Sequence, residues 1–199
     1  MSARRILLAL VLVAVGAGFG AVIVNIGQGG PAASLKDKDP AMRVAALRAM
    51  RWHGDVNLLI GALRDENADV RLLAAEYLDG PGPQLGEFDP EGEKRAAALV
   101  GALKDPHAGV RRMAAESLCL IGPESAPALI QALTDPDPRV RAGAALALGD
   151  VGVYKVKRGR APDEVQTITP LLNKLLTDKD AEVRRNAAHT LEVLSWVAR

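Results

Sequence analysis

Five segments of this 199-residue chain align without a gap: LKDKDPAMRVAALRAM (35–50), LRDENADVRLLAAEYL (63–78), LKDPHAGVRRMAAESL (103–118), LTDPDPRVRAGAALAL (133–148) and LTDKDAEVRRNAAHTL (176–191). A unit this short buries too little apolar surface to stand alone, so each copy must pack on the next. The first position is always Leu (Leu35, Leu63, Leu103, Leu133, Leu176) and the twelfth always Ala (Ala46, Ala74, Ala114, Ala144, Ala187). The eighth is Met42, Val70, Val110, Val140 or Val183, and the sixteenth Met50, Leu78, Leu118, Leu148 or Leu191. Positions 8, 12 and 16 are four apart and lie on one helical stripe, with alanine at its centre so that two helices can approach closely.

Each copy also carries its own boundaries. The fifth position is Asp39, Asn67, His107, Asp137 or Asp180, followed by Pro or Ala. This reads as an N-cap, where a side-chain oxygen meets an orphan N–H and a following proline has none to lose. Beyond the stripe stand Gly54, Gly82, Gly122 and Gly152, with Ser195 in the last copy. Glycine there suits a helix stop that needs positive φ. A second apolar run precedes four of the copies: 56–63, 94–103, 126–133 and 168–176. The unit is therefore helix, tight Asp turn, helix.

This recurring L-x-D…V-R-x-x-A-A-x-x-L pattern resembles HEAT repeats, in particular the short PBS-lyase HEAT-like kind, over residues 35–197. The resemblance implies an all-α solenoid of about five units. It also implies a hydrogen-bonded ladder between neighbouring repeats, made by the turn aspartates Asp37, Asp65, Asp105, Asp135 and Asp178 and the helix arginines Arg43, Arg71, Arg111, Arg141 and Arg184. Five such pairs spread along one array read as frame rather than as catalytic machinery.

The other strong signal is at the start. Arg4 and Arg5 precede an uncharged apolar stretch from Ile6 to Val24. As a helix it spans ~28 Å, close to a bilayer's hydrocarbon core. The expected order is a cytoplasmic N-terminus (1–5), a transmembrane helix (6–26), a flexible linker (27–34) and the repeat domain (35–199). The arginines favour a cytoplasmic N-terminus and hence a repeat domain on the periplasmic or extracytoplasmic side. A cleaved signal peptide is the competing reading, with Val15 and Ala17 at the cleavage positions. Gly16 and Gly20 form a small-xxx-small pair that could seat a second membrane helix.

Aromatics are only 3% and the net charge is +1. That argues against nucleic acid, which calls for a basic face and stacking aromatics. His53, His107 and His189 have no metal-ligand spacing, and the single Cys119 can form no internal disulfide. No nucleophile motif or phosphate loop appears, so no catalytic residue, cofactor or metal is expected.

Function is sought where the pattern breaks. Leu-to-Leu spacings are 28, 40, 30 and 43 residues, so two connections are long. The first, 79–93, is acidic and includes Phe88. The second, 150–164, is basic, with Lys155, Lys157, Arg158 and Arg160 around Tyr154. Insertions on one edge of a repeat array often bind partners. The ends add Met50 and Trp52 on one side and Leu194 and Trp196 on the other as exposed apolar surface. The sequence points to a non-catalytic scaffold, an accessory subunit of a larger membrane complex, for example a respiratory or photosynthetic one, with other protein subunits as partners. A secreted adaptor is the alternative. So is a bilin-lyase-like enzyme, since related repeats occur in phycobilin lyases.

Overall fold

The computed structural model describes residues 10–14, 21–25, 30–50, 55–80, 91–157 and 162–197. They fall into two compact units, Met1–Tyr77 and Leu78–Arg199.

The first unit opens with β1 (Leu10–Ala14) and β2 (Ala21–Asn25), paired antiparallel from Leu10↔Asn25 to Ala14↔Ala21. This differs from the expected membrane helix over 6–26. The two segments are rich in β-branched valine and isoleucine, which suit extended backbone. The sequence between them, VGAGFG, carries three glycines, each weakening a helix by about 1 kcal/mol. Among the described residues no helix is long and apolar enough to cross a membrane.

Then follow α1 (Gly30–Ser34), α2 (Pro40–Met50), α3 (Val56–Ala62) and α4 (Ala68–Tyr77). The expected linker thus contains a short helix, and it packs on α2, the repeat helix that seemed to lack a partner. Met50, expected on an open end, is buried with Ala46 and Leu47.

The second unit contains α5 (Gly92–Ala102), α6 (Ala108–Ile121), a 3₁₀ turn (Gly122–Ser125), α7 (Ala126–Ala132), α8 (Pro138–Lys157), α9 (Pro162–Leu175) and α10 (Ala181–Val197). Each repeat pairs a first helix with a second one: α5 with α6, α7 with α8, α9 with α10. The second helices also pack on each other, α6 on α8 and α8 on α10. The stripe is inside, as its spacing requires, with Met42 and Leu191 half-buried. All five twelfth-position alanines have no exposed surface. A larger side chain there would overpack, typically by ~1–3 kcal/mol.

The helix boundaries are set by the predicted caps. Asp39 accepts from Ala41 N, Asn67 from Asp69 N, Asp137 from Arg139 N and Asp180 from Glu182 N, at 2.8–2.9 Å. His107 holds the cap position without a side-chain bond. At the other end Gly122 closes α6 with φ +75°. Gly152 does not stop a helix, because α8 runs on to Lys157. The sequence from Asp150 to Lys157 has no proline, and Val151 is buried, so nothing there breaks the helical run. Most of the expected basic loop 150–164 is therefore the end of α8 and the start of α9. The acidic connection lies largely outside the described residues, as do Gly54 and Gly82.

The turn between paired helices is one motif repeated five times. Each turn aspartate accepts the N–H two residues on: Asp37 from Asp39, Asp65 from Asn67, Asp105 from His107, Asp135 from Asp137 and Asp178 from Asp180. Each repeat arginine then donates Nη1 to the aspartate's carbonyl at 2.7–2.8 Å: Arg43 to Asp37, Arg71 to Asp65, Arg111 to Asp105, Arg141 to Asp135 and Arg184 to Asp178.

The remaining donors behave differently from repeat to repeat. Arg43 gives Nε and Nη2 to the Asp65 carboxylate, both at 2.7 Å. Arg141 gives the same pair to Asp178 at 2.9 and 2.8 Å. These are bidentate, charge-assisted bonds. Arg111 makes no hydrogen bond or ion pair to Asp135, although both residues are described, so the rung implied there by the resemblance is open.

Candidate partner-binding groove

Few of the sequence-predicted contact residues lie among the described residues. Trp52, Phe88, Arg158, Arg160, Gly16 and Gly20 lie outside those residues. Tyr154, Lys155 and Lys157 occupy the final turns of α8 rather than a loop. Trp196 is 74% exposed near the end of α10, whereas Leu194, its expected companion, is buried.

The structure brings together a different set, on the surface of α6 and α8. Cys119 Sγ contacts the Ala147 carbonyl at 4.0 Å and donates to Asp150 Oδ2 at 3.3 Å. Cys119 is late in α6, and Ala147 and Asp150 come late in the corresponding stretch of α8, so the two helices run parallel. Side chains early in each helix, Arg111, Arg112 and Arg139, therefore share one end. The later Leu120 and Leu146 share the other. Between them is a groove of about 630 Å³, floored by Ala115, Gly143 and Ala147 and also lined by Leu103, Glu116 and Glu182. That volume lies within the range of ligand-binding clefts.

Two substitutions within the fourth repeat make this groove. Gly143 occupies the eleventh position, where the other copies have Ala45, Leu73, Met113 and Asn186. A Cβ on Gly143 would come 2.8 Å from Leu103 Cδ2, so glycine lets Leu103 close under the floor. Leu146 occupies the fourteenth position, where the others have Arg48, Glu76, Glu116 and His189. It is 39% exposed, and Leu120 across the groove is 67% exposed. A single exposed leucine is ordinary. Two on adjacent helices flanking a concave apolar floor form a docking feature. Comparing the five copies position by position for an apolar residue at a polar site would have found Leu146.

The charges divide along the groove. Arg112 pairs with Glu116 at 3.1 Å, and Arg139 with Asp137 at 2.6 Å. The hydrogen bond from Arg139 holds the Asp137 carboxyl down at about 2. Arg111 keeps only its two turn carbonyls, Asp105 O and Pro106 O. At the apolar end, burial pushes the Cys119 thiol up to about 12, and the Asp150 carboxylate adds to the effect. Cys119 is thus a neutral wall of the groove, not a nucleophile. No group of His, Cys, Asp or Glu among the described residues could hold a metal.

The neighbouring joint, α8 on α10, is closed. Thr190 donates to Ala145 O at 2.7 Å and Asn186 to Ala142 O at 3.0 Å, both from α10 to the α8 backbone. Gly149 permits this approach, since a Cβ there would sit 3.0 Å from Thr190 Oγ1. The groove therefore ends against a rigid wall.

Family models for HEAT repeats match residues 32–119, 96–158 and 168–195. No curated protein matches the chain. Among solved structures, the Kap95:Nup1 complex aligns at 15% identity over 83% of this chain and 24% of that one, with a TM-score of 0.61. Importin beta aligns at 18% over 83% and 25%, with a TM-score of 0.60. The CpcE–CpcF complex of phycocyanin lyase from Nostoc aligns at 24% over 90% and 70%, with a TM-score of 0.47. The chain spans about a quarter of the importin-type proteins, and the likeness is one of fold.

Proposed function

Because this chain belongs to the HEAT-repeat family, we propose that it is a non-catalytic scaffold that binds another protein, acting as an accessory subunit of a larger membrane-bound complex. The observation that carries this reading is the groove, with Leu120 and Leu146 exposed over a small-residue floor. Fold-mates such as the Kap95:Nup1 complex are themselves protein assemblies, which is consistent with it. Its site is chemically quiet: the one thiol is held protonated and the arginines lie at one end.

The membrane part of the proposal is carried by the sequence. The uncharged run Ile6–Val24 behind Arg4 and Arg5 is long enough to span as a helix and would leave the repeats on the extracytoplasmic side. A lone two-stranded hairpin leaves edge groups that lipid cannot satisfy, so attachment requires this run to be helical in a bilayer. The test is affinity purification of the tagged full chain from carbonate-washed native membranes, with Leu146→Glu in parallel. A partner protein should co-purify with the wild type and be lost from Leu146→Glu. Absence from the washed membranes would overturn the attachment, and recovery only as a lone monomer would overturn the scaffold reading.

A further inference from the structure

We propose that the groove between α6 and α8 reads a short segment of its partner that carries a carboxylate and, a few residues away, a large apolar side chain, the carboxylate completing the open rung at Arg111. This rests on the reading of the groove as the partner-binding face and adds the chemistry and spacing of what it holds.

The ladder sets the first requirement. In Arg43 and Arg141, Nη1 serves the arginine's own turn, and Nε and Nη2 clasp a carboxylate from the next repeat. Arg111 has the same anchored Nη1, which fixes its guanidinium, but Asp135 does not take the other two donors. Nε and Nη2 of Arg111 thus form a pre-positioned fork at the edge of a groove. A guanidinium fork of this kind matches a carboxylate bidentately. The two other arginines at that end already have carboxylate partners, Glu116 and Asp137. Those pairs are close to neutral, so the open position at that end belongs to Arg111.

The other end sets the second requirement. Leu120 stands nine residues beyond Arg111 and Leu146 seven beyond Arg139 on their helices, which is roughly 10–14 Å of helical rise. An extended chain covers that in about three or four residues. The occupant therefore carries a carboxylate residue and, about three or four positions away, Leu, Ile, Met or Phe. A bilayer fits less well. The site is concave, so a flat headgroup surface would not reach its floor.

The test is phage display of a random twelve-residue peptide library on the immobilised full chain, with wild type, Arg111→Gln and Leu146→Glu as separate baits. The expected result is a wild-type consensus with Asp or Glu placed three or four residues from a large apolar residue. Binding of the consensus peptide, measured by fluorescence anisotropy, should weaken about tenfold or more in each variant and weaken with added salt. Leu146 is partly exposed, so Leu146→Glu should fold even if Arg111→Gln, which loses two turn bonds, does not. A basic consensus, one without an acidic residue, or one bound equally by Leu146→Glu would overturn the proposal. So would enrichment of no peptide together with Leu146-dependent sedimentation on phosphatidylglycerol vesicles. If a partner co-purifies through Leu146 while the consensus lacks the acidic residue, the scaffold reading stands and this one falls.

Discussion

Arg111 and Arg141 are the same residue of consecutive repeats with different surroundings. Both tie their own turn through Nη1, but only Arg141 meets the next aspartate. The consequence for Asp178 is electrostatic: the Arg141 hydrogen bond holds its carboxyl below the ordinary value. For Asp65, burial alone would raise the carboxyl, but the Arg43 bond and its charge bring it below the usual range. A carboxyl whose folded pKa is depressed stabilises the fold above its unfolded value, about 3.9. That stabilisation is lost as pH falls through the lower folded value, which for Asp137 is about 2. The melting temperature should therefore fall steadily from pH 4 to pH 2, and Asp178→Asn should have a lower melting temperature at pH 7 with a flatter acid limb. Thermal melts followed by circular dichroism across that range check the sign. Cys119 makes the opposite case, with its pKa pushed up. At pH 8 its alkylation by iodoacetamide should be on the order of a thousandfold slower than that of a free thiol. Asp150→Asn removes a neighbouring negative charge and should speed the reaction, as mass spectrometry of timed quenches would show.

The helices show what a repeat demands and what it tolerates. In α3 and α5 the second residue before the repeat leucine is Gly61 or Gly101. The equivalent positions of α7 and α9 hold Gln131 and Lys174. A Cβ at Gly61 or Gly101 would meet nothing within 4 Å. These glycines are therefore not required by packing, and each weakens its helix. Gly61→Ala and Gly101→Ala should each stabilise the protein by about 0.5–1 kcal/mol, read as a higher urea midpoint with an unchanged slope. Gly143 and Gly149 differ in kind, because Leu103 and Thr190 occupy the space their side chains would need. The sequence pattern alone does not separate the two sorts of glycine, since the distinction lies in what the neighbouring helix presents.

At the scale of the whole chain, the repeats were legible because five copies average out local accidents. The buried stripe, the N-caps and the aspartate turns follow from positions that recur. The features seen only in the structure are the unrepeated ones. The extension of α8 to Lys157 overrode a glycine stop signal because buried Val151 carries the helix onward. The pairing of Leu10–Ala14 with Ala21–Asn25 arose in a stretch whose β-branched residues favour strands and whose glycines weaken a continuous helix, while its apolar length resembles a membrane span. The groove depends on two departures within the fourth repeat, and a consensus obscures departures by construction. The groove lies on the regular helices between the two long connections.

The way Arg43 and Arg141 divide their donors has a consequence for how such a chain can arise. One nitrogen closes the arginine's own turn and two are offered forward, while each aspartate carboxylate can accept from behind. A single repeat thus carries both halves of a joint. Duplicating the stretch of gene that encodes it would insert a unit already able to fasten to its predecessor and its successor, with no compensating mutation. Array length is then open to change by unequal crossing-over, and each inserted copy begins as structure and is free to diverge at its exposed positions, as the fourth repeat has done at Leu146.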